Sequence, residues 1–190
     1  MFGFGTIIDT ISIILGGLIG LSLKKEISKK LQDGIIITIG LCILFMGIIG
    51  VMQIYSSVNN CIMVMVISLI LGTFLGETID FDQKFIVFGE ILKKKTSNMK
   101  DKNFINGFLT TSFAVAIGAM AVVGSIKDGM QGDYTILLTK SILDFSITLI
   151  LASTLGKGCL FACIPVFIFQ GTITIIARLI GPFLITEAIN

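Results

Sequence analysis

The sequence predicts an all-α fold, a polytopic bundle of transmembrane helices forming one domain over residues 1–190. Hydrophobic residues make up 54% of the chain and charged residues only 14%, and the mean hydropathy is +1.01. A soluble domain needs more charge to cover its surface. The apolar residues also come in blocks of about twenty, enough for a helix to cross roughly 30 Å of hydrocarbon. Alternating barrel patterning is absent, and an open strand edge in lipid would leave backbone groups unpaired.

Six spans are predicted, arranged as three helical hairpins. They cover about 2–23, 34–54, 58–76, 104–126, 134–155 and 159–185. The first apolar block begins at Met1 with no basic region before it. This arrangement is typical of a retained first helix rather than of a cleaved secretory signal.

Lysine placement predicts the orientation of the spans in a cell (inner) membrane. Eleven lysines lie in the first, third and fifth loops: Lys24, Lys25, Lys29, Lys30, Lys84, Lys93, Lys94, Lys95, Lys100, Lys102 and Lys157. The fourth loop carries Lys127 alone, and the second carries none. Because basic residues favour the cytoplasmic side, we expect loops one, three and five inside and both termini outside.

The third loop contains the segment FDQKFIVFGEILKKK. Phe81, Phe85, Phe88 and Leu92 share one face at helical spacing, and three lysines follow. The pattern predicts an amphipathic helix over about 81–95. This helix either lies in the inner interface with its lysines near anionic lipid, or extends span three and packs the same face on protein.

Three apolar segments resemble one another: 12–20, 68–76 and 148–156. Each ends an odd-numbered span and carries two small residues four positions apart, namely Gly16 with Gly20, Gly72 with Gly76, and Ala152 with Gly156. Small residues at this spacing let two helix backbones approach closely. We therefore expect helix packing at these positions. Either the odd spans repeat one plan around a shared axis, or the similarity arises by chance in apolar sequence, and inverted repeats stay open.

Ionisable residues within the spans are the candidates for function, because a charge at a helix centre costs roughly 2.5–3.5 kcal/mol to insert. Lys140 and Asp144 lie one turn apart in span five, with Ser141 beside Lys140. The two charges either form an ion pair within one helix that lowers the insertion cost, or Asp144 changes its partner and its proton during transport.

Asp9 and Gln170 are the other polar candidates inside spans. Asp9 either shares a cation or proton with Asp144 at similar depth, or reaches the outer interface. Gln170 lies between Pro165 and Gly171. This stretch of span six is either a simple proline kink or an unwound segment of the kind that builds solute sites.

The outer loop between spans four and five contains Asp128 and Asp133. Asp133 suits the N-cap of span five, and the neighbouring glycines suit turns. A cation held by Asp128 and Asp133 together is the alternative interpretation. Two acids five positions apart are too close together for a calcium loop.

Other classes of site are not predicted. The chain has no histidine, and its cysteines (Cys42, Cys61, Cys159 and Cys163) lie in apolar stretches typical of small core residues. We expect no metal centre, no cofactor and no enzymatic activity, since catalytic motifs are missing. The net charge of +2 gives no field for nucleic acid.

An ordered set of residues in the second half of the chain carries a resemblance. It comprises Gly118–Met120, Gly124, Ser125, Asp128, Gly129, Gly132, Asp133, Lys140, Ser141, Asp144, Ala152, Ser153, Gly156, Gly158, Gln170 and Gly171. The chain resembles the bacterial YdfK/YqgA-type integral membrane protein family, a domain of unknown function. The resemblance implies an inner-membrane protein and raises the importance of Asp144. Phe145 stands where a glycine is frequent in the family, so close backbone packing beside Asp144 is not implied.

These observations favour a small secondary transporter or channel-like protein for an ion or small solute. The expected partners are the lipid bilayer, a monovalent cation, proton or small solute, and a second copy of the chain. The alternative is a non-transporting accessory subunit or a structural oligomer assembled through its glycine faces, in which the Lys140–Asp144 pair is structural.

Overall fold

The computed structural model describes residues 3–23, 28–57, 61–79, 81–95, 103–116 and 118–187. Its regular elements are α1 Phe4–Ser22, α2 Lys29–Ser57, α3 Cys61–Ile79, α4 Phe81–Lys95, α5 Phe104–Ala116, α6 Ala119–Gln131, α7 Thr135–Leu155, a 3₁₀ turn Lys157–Ala162 and α8 Cys163–Glu187. The predicted all-helical bundle is confirmed. Lys24, Lys25, Lys100 and Lys102, and the tip of the second loop at 58–60, lie outside the described residues.

The bundle is built on α1 and α7, which lie side by side and run in the same direction. Gly5 lies near Leu137 at the start of α7, Gly16 near Phe145, and Gly20 near Leu149. A Cβ placed on Gly16 would lie 2.5 Å from the carbonyl oxygen of Phe145. Since a side chain at that position would collide with backbone, glycine is what lets the two helices approach this closely.

Helices α5, α6 and α8 and the 3₁₀ turn complete the packed core around this pair. The apolar centre joins Ile13 of α1 to Val115 and Ala116 of α5 and to Ala162 and Val166. Phe104 at the start of α5 lies against Gly158 of the 3₁₀ turn, and Gly129 of α6 lies against Thr174 of α8. Thus α5 begins at the end of the bundle where α7 finishes.

The fourth predicted span differs from expectation, because 104–126 is not one straight helix. Helices α5 and α6 meet at an angle of 57° across a short break. Gly118 precedes α6 in an extended conformation, with φ −169° and ψ 152°, so the helical backbone is interrupted there. Helix α6 also continues to Gln131, which places Asp128 in a helix and reduces the predicted outer loop to Gly132–Tyr134.

Helix α4 spans the predicted amphipathic segment 81–95, and part of its apolar face packs on protein. The ring centroids of Phe85 and Phe113 are 5.2 Å apart, and those of Phe88 and Phe108 are 6.0 Å apart. Gly89 is buried against the Phe108 ring. Packing on α5 therefore accounts for Phe85 and Phe88, while Lys93, Lys94 and Lys95 occupy the last turn.

Helices α2 and α3 lie outside this core. Most of their described side chains are exposed, including Leu69, Ile70 and Leu71. Gly72 and Gly76 have no neighbour within 4 Å of an added Cβ among the described residues. The expectation that all three odd-numbered spans meet near one axis is therefore wrong for α3 within this chain: α1 and α7 meet, and α3 does not.

The number of spans supported by helix length and composition is smaller than six. Four single helices qualify within the described residues: Phe4–Ser22, Lys29–Met52, Thr135–Leu155 and Lys157–Gly181. The bent pair α5 and α6 adds a fifth if it crosses as one unit. Helix α3 contributes a shorter apolar stretch, Val66–Thr78.

Connectivity nevertheless requires a return crossing between α2 and α5. The end of α1 and the start of α5 lie at the same end of the bundle, because Gly20 contacts Leu149 and Gly107 contacts Leu155 of one helix, α7. If α2 crosses the membrane, the chain must cross back before α5 begins. The apolar segment available for that crossing is in α3.

Candidate functional site

The charged residues predicted within the spans meet at one place between α1 and α7. The Lys140 Nζ atom donates a hydrogen bond to Asp9 Oδ2 at 2.9 Å. It also donates to Asp144 Oδ2, one turn along the same helix. One ammonium group is therefore shared by two carboxylates, one from each of the two central helices.

Gln170 of α8 joins the same group, because its Nε2 donates to Asp9 Oδ2 at 2.6 Å. The four residues, here called the charge cluster, are Asp9, Lys140, Asp144 and Gln170. Their exposed fractions are 0%, 5%, 4% and 0%. Each was proposed from sequence as a candidate, and the structure places all four in contact within the bundle interior.

Local structure explains the convergence. Lys140 and Asp144 share one face of α7 because they are four residues apart. Asp9 lies on α1 between Gly5 and Gly16, two glycines at which α1 lies close against α7. The glycines bring the backbones together, so the short Asp9 side chain reaches the end of the long Lys140 side chain.

The cluster is not balanced in formal charge. Two carboxylates and one ammonium give a net charge of −1 when all three are ionised. Asp9 Oδ1 and Gln170 Oε1 are buried and lack a hydrogen-bond partner in the described part of the chain. Buried acceptors without partners are rare because each loses its hydration without compensation. The site therefore has both the charge and the free acceptors to take up a proton or a cation.

Two of the predicted interpretations are corrected here. Asp9 does not reach the outer interface, since it is fully buried. Helix α8 continues unbroken through Gln170 and Gly171, so no unwound segment lies there. Pro165 falls in the first turn of α8, where its missing N–H has no intrahelical partner to lose. The interrupted helix is the α5–α6 pair instead.

Ser141 lies next to the cluster without joining it. Its hydroxyl donates to the Leu138 carbonyl oxygen of its own helix at 2.8 Å. The predicted role of Ser141 as a binding residue therefore has no support from the orientation of its hydroxyl in this structure.

Asp128 and Asp133 have different hydrogen-bond partners, and each contacts the start of a different helix. The Asp128 carboxylate is buried and accepts hydrogen bonds from the Gly3 and Gly5 N–H groups at 3.2 and 3.0 Å. It thereby satisfies free donors at the N-terminus of α1, where a negative charge is favourable. Asp128 is thus a link between α6 and α1 rather than a loop residue.

Asp133 acts at the start of α7. Its Oδ1 accepts the Thr135 hydroxyl at 2.6 Å and the Thr135 backbone N–H at 3.0 Å. These two hydrogen bonds hold the pKa of the Asp133 carboxyl below its ordinary value, because they stabilise the ionised form. The residue that immediately precedes α7 is Tyr134, so the predicted N-cap position is displaced by one residue.

The residues predicted for helix packing fall into three groups. Gly16 and Gly20 face the α7 backbone, and a Cβ on Gly20 would lie 3.0 Å from the Ala152 Cβ. Gly156 instead ends α7, with φ at 91°, a conformation that favours glycine. A Cβ added at Gly72 or Gly76 would have no neighbour within 4 Å in the part of the chain that the structure describes.

Several buried hydroxyls near the site were not proposed from sequence. The Thr6 and Thr174 hydroxyl oxygens are 3.5 Å apart and join α1 to α8. Thr111, Ser112, Ser125 and Thr148 each have a buried hydroxyl without a hydrogen-bond partner within the described ranges. Helical spacing was the available signal for two of them, since Thr6 precedes Asp9 by three residues and Thr174 follows Gln170 by four.

Comparison with known proteins agrees with the membrane fold. The family model described as "Protein of unknown function (DUF554)" matches residues 4–190. The chain is 31% identical over 187 residues to the "Uncharacterized membrane protein YdfK" of Bacillus subtilis (strain 168), covering 98% of this chain and 78% of that protein. It is 25% identical over 182 residues to the "Uncharacterized protein YqgA" of Escherichia coli (strain K12), covering 94% and 75%.

No solved structure matches the chain. The family model nevertheless extends over nearly the whole sequence and includes every residue of that cluster. The resemblance expected from the residues between Gly118 and Gly171 is confirmed. This polytopic helical membrane protein belongs to the DUF554 family.

Proposed function

We propose that the protein is a small secondary transporter or channel-like protein for an ion or small solute, in which the charge cluster is the functional site. The observation that carries the proposal is one ammonium group shared by two carboxylates in the buried interior of a membrane bundle. Ionisable groups at such depth are expensive and tend to mark ion pathways and proton relays.

The surplus carboxylate separates this arrangement from a structural ion pair. Lys140 and Asp144 alone would be neutral, so such a pair would carry no charge for a bound ion to balance. Asp9 adds a second carboxylate to the one cation, Lys140, that the cluster contains. A bound proton or cation would neutralise the cluster, and its release would restore the negative charge. The two forms of the cluster can then favour different conformations of the protein, which is how ion binding is coupled to a conformational change.

The interrupted α5–α6 helix supports the same proposal. Non-helical backbone at membrane depth is tolerated where it is packed by protein or lines a watery path, and discontinuous helices are common at transporter sites. The adjoining Val115 and Ala116 belong to the apolar centre of the bundle. The bend between α5 and α6 gives α6 a hinge about which it can move relative to α5.

Transport into proteoliposomes tests the proposal. The purified chain is reconstituted with a pH-sensitive dye inside, and gradients of protons and of common monovalent cations are imposed. We expect the wild type to move one of these ions and Asp144→Asn to fall to background, because the amide keeps the size and loses the charge. Thr73→Val, on the exposed side of α3, is the control. A wild type that moves none of these ions contradicts the ion-transporting form of the proposal.

A non-transporting accessory subunit or structural oligomer is the second candidate. Its support is the exposed apolar surface of α2 and α3, where Gly72 and Gly76 are free of contacts among the described residues. Joint replacement separates the two functions. Because Asp9 belongs to the cluster, all three charges must be replaced together, as Asp9→Leu with Lys140→Leu and Asp144→Leu. A structural cluster tolerates this change with function retained, whereas a transport site loses function while the protein still folds.

We also propose an orientation of the protein in the membrane, based on the distribution of its lysines. Loops one, three and five face the cytoplasm, both termini face outside, and Asp133 lies at the outer end of α7. Labelling by a membrane-impermeant thiol reagent tests this in a cysteine-free background. Asp133→Cys should react from outside intact cells, and Ser22→Cys only after the membrane is opened; the reverse result inverts the topology.

A further inference from the structure

Beside the charge cluster, facing sides of α1 and α8 carry two matching polar layers. In one layer Gln170 Nε2 donates to Asp9 Oδ2 at 2.6 Å. In the other, one turn away on each helix, the Thr6 and Thr174 hydroxyl oxygens are 3.5 Å apart. All four side chains are at least nine-tenths buried. Two apolar helices have thus placed four oxygen-bearing side chains opposite one another inside the bundle.

The oxygens of these layers have unused acceptor capacity. Both donors on the Asp9 carboxylate, Lys140 Nζ and Gln170 Nε2, go to Oδ2. That leaves Asp9 Oδ1 and Gln170 Oε1 buried and without hydrogen-bond partners across the described residues. The hydroxyl contact is longer than the usual 2.5–3.0 Å of an O–H···O bond, so the two threonine oxygens also hold each other only weakly.

The charge of the site indicates what would complete it. When all three charged groups of the cluster are ionised, Lys140 compensates one carboxylate, and a single negative charge remains beside neutral amide and hydroxyl oxygens. One carboxylate with three neutral oxygens suits a hard, singly charged cation, because a divalent ion would leave an uncompensated positive charge in the interior. A proton would also neutralise the carboxylate, but it would not need the two threonine oxygens as ligands.

We propose that a sodium ion binds between α1 and α8, with Asp9 Oδ1, Gln170 Oε1 and the hydroxyls of Thr6 and Thr174 as its ligands. The inference rests on the proposed function and names its coupling ion. The threonine layer lies on the side of Asp9 that faces Asp128 and Gly129, since Gly129 contacts the Thr174 backbone and Asp128 holds the start of α1. Of the four proposed ligands, the two threonines therefore lie nearest that end of the bundle.

Binding to the purified full-length protein is the direct test. Radioactive sodium is equilibrated with the protein by dialysis, and thermal unfolding is measured in NaCl, KCl and choline chloride at one ionic strength. We expect saturable sodium binding and a higher unfolding temperature in NaCl than in choline chloride, because a ligand that binds only the folded state stabilises it. Equal unfolding temperatures and no saturable binding overturn the proposal without any variant being made.

Variants then assign the ligands. Thr6→Val with Thr174→Val removes two oxygens while keeping side-chain shape and charge, and should weaken sodium binding by about tenfold or more. Thr172→Val is the matched control, because Thr172 is exposed on the same helix and its hydroxyl bonds the Ile168 carbonyl of α8. Unchanged sodium affinity in the double variant overturns the assigned ligand set.

The outcomes also separate this site from the function on which it rests. Proton-driven transport with no dependence on sodium overturns the sodium site and leaves the transport proposal standing. Saturable sodium binding in a protein that moves no ion or solute in proteoliposomes supports the site and contradicts transport.

Discussion

Segments 12–20 of α1 and 68–76 of α3 are similar in sequence, yet their environments are opposite. In α1, Gly16 and Gly20 lie against the backbone of α7, and Ile13 is fully buried. In α3, a Cβ added at the corresponding Gly72 or Gly76 would have no neighbour within 4 Å among the described residues. The neighbouring Leu69, Ile70 and Leu71 are exposed. Small residues four apart permit close packing, but they do not create a partner.

The difference between the two helices lies in their polar groups. Helix α1 is joined to α7 through Asp9 and Lys140, to α8 through Asp9 and Gln170, and to α6 through Asp128. In α3, the Thr73 and Thr78 hydroxyls bond carbonyls of their own helix, at 2.8 and 2.6 Å. In a bilayer, apolar side chains gain little by leaving lipid for protein, so hydrogen bonds and close packing decide which helices associate.

Replacing Lys140 should have the largest effect on the packed helix. Lys140→Met leaves two buried carboxylates without their shared cation, and breaking a buried ion pair in this way costs about 3–5 kcal/mol of unfolding free energy. Thermal unfolding in detergent measures the loss. Lys157→Met, an exposed lysine on the 3₁₀ turn, is the control. Equal stability of the two variants would show that the contacts of Lys140 with Asp9 and Asp144 do not hold α1 against α7.

A matched pair of glycine substitutions tests the comparison itself. Gly16→Ala should lower the unfolding free energy by about 1–3 kcal/mol, because its Cβ meets the Phe145 carbonyl oxygen. Gly72→Ala should instead raise it by roughly 0.5–1 kcal/mol, since alanine restricts the unfolded chain and favours helix. Unfolding curves of both variants give the signs. Destabilisation at Gly72 would reveal a partner for α3, and oligomeric state measured by light scattering would identify a second copy of the chain.

The Asp128 contact should have a moderate effect on the start of α1. Asp128→Asn removes the charge and one of the two acceptor oxygens that bind Gly3 and Gly5. A buried donor left unsatisfied costs about 1–3 kcal/mol. Hydrogen exchange should quicken at the first turn of α1 and stay unchanged in α3. Uniform exchange across both helices would mean that Asp128 does not anchor α1.

The smallest effect is expected at Asp133, and it depends on pH. Because folding lowers the pKa of this carboxyl, its contribution to stability is present above the unfolded value of about 4 and disappears as the pH falls through the folded value. Asp133→Asn should therefore be slightly less stable than wild type at neutral pH, with the difference narrowing in acid. A difference that is constant from pH 7 to pH 3 would contradict this role.

Local features of the chain were predicted well from sequence. The residues that form the charge cluster were identified because charged and amide groups are conspicuous in apolar spans, and the Lys140–Asp144 contact follows from helical spacing. The unwound segment, one of the two alternatives for the stretch around Gln170, was wrong because α8 is continuous there, and Pro165 falls in its first turn. The break before α6 could not be predicted, because no proline lies near it and a single glycine such as Gly118 is common in membrane helices that are not broken.

The sequence by itself determined the class of protein, the approximate extent of most of its helices and the shared face of Lys140 and Asp144, because hydropathy and helical periodicity are properties of contiguous residues. Only the tertiary structure decided which helices meet. Asp9 and Lys140 are separated by 131 positions along the chain, and nothing in either neighbourhood specifies the other. Their contact depends on how closely two backbones approach, and that distance is fixed by the packing of α1 on α7.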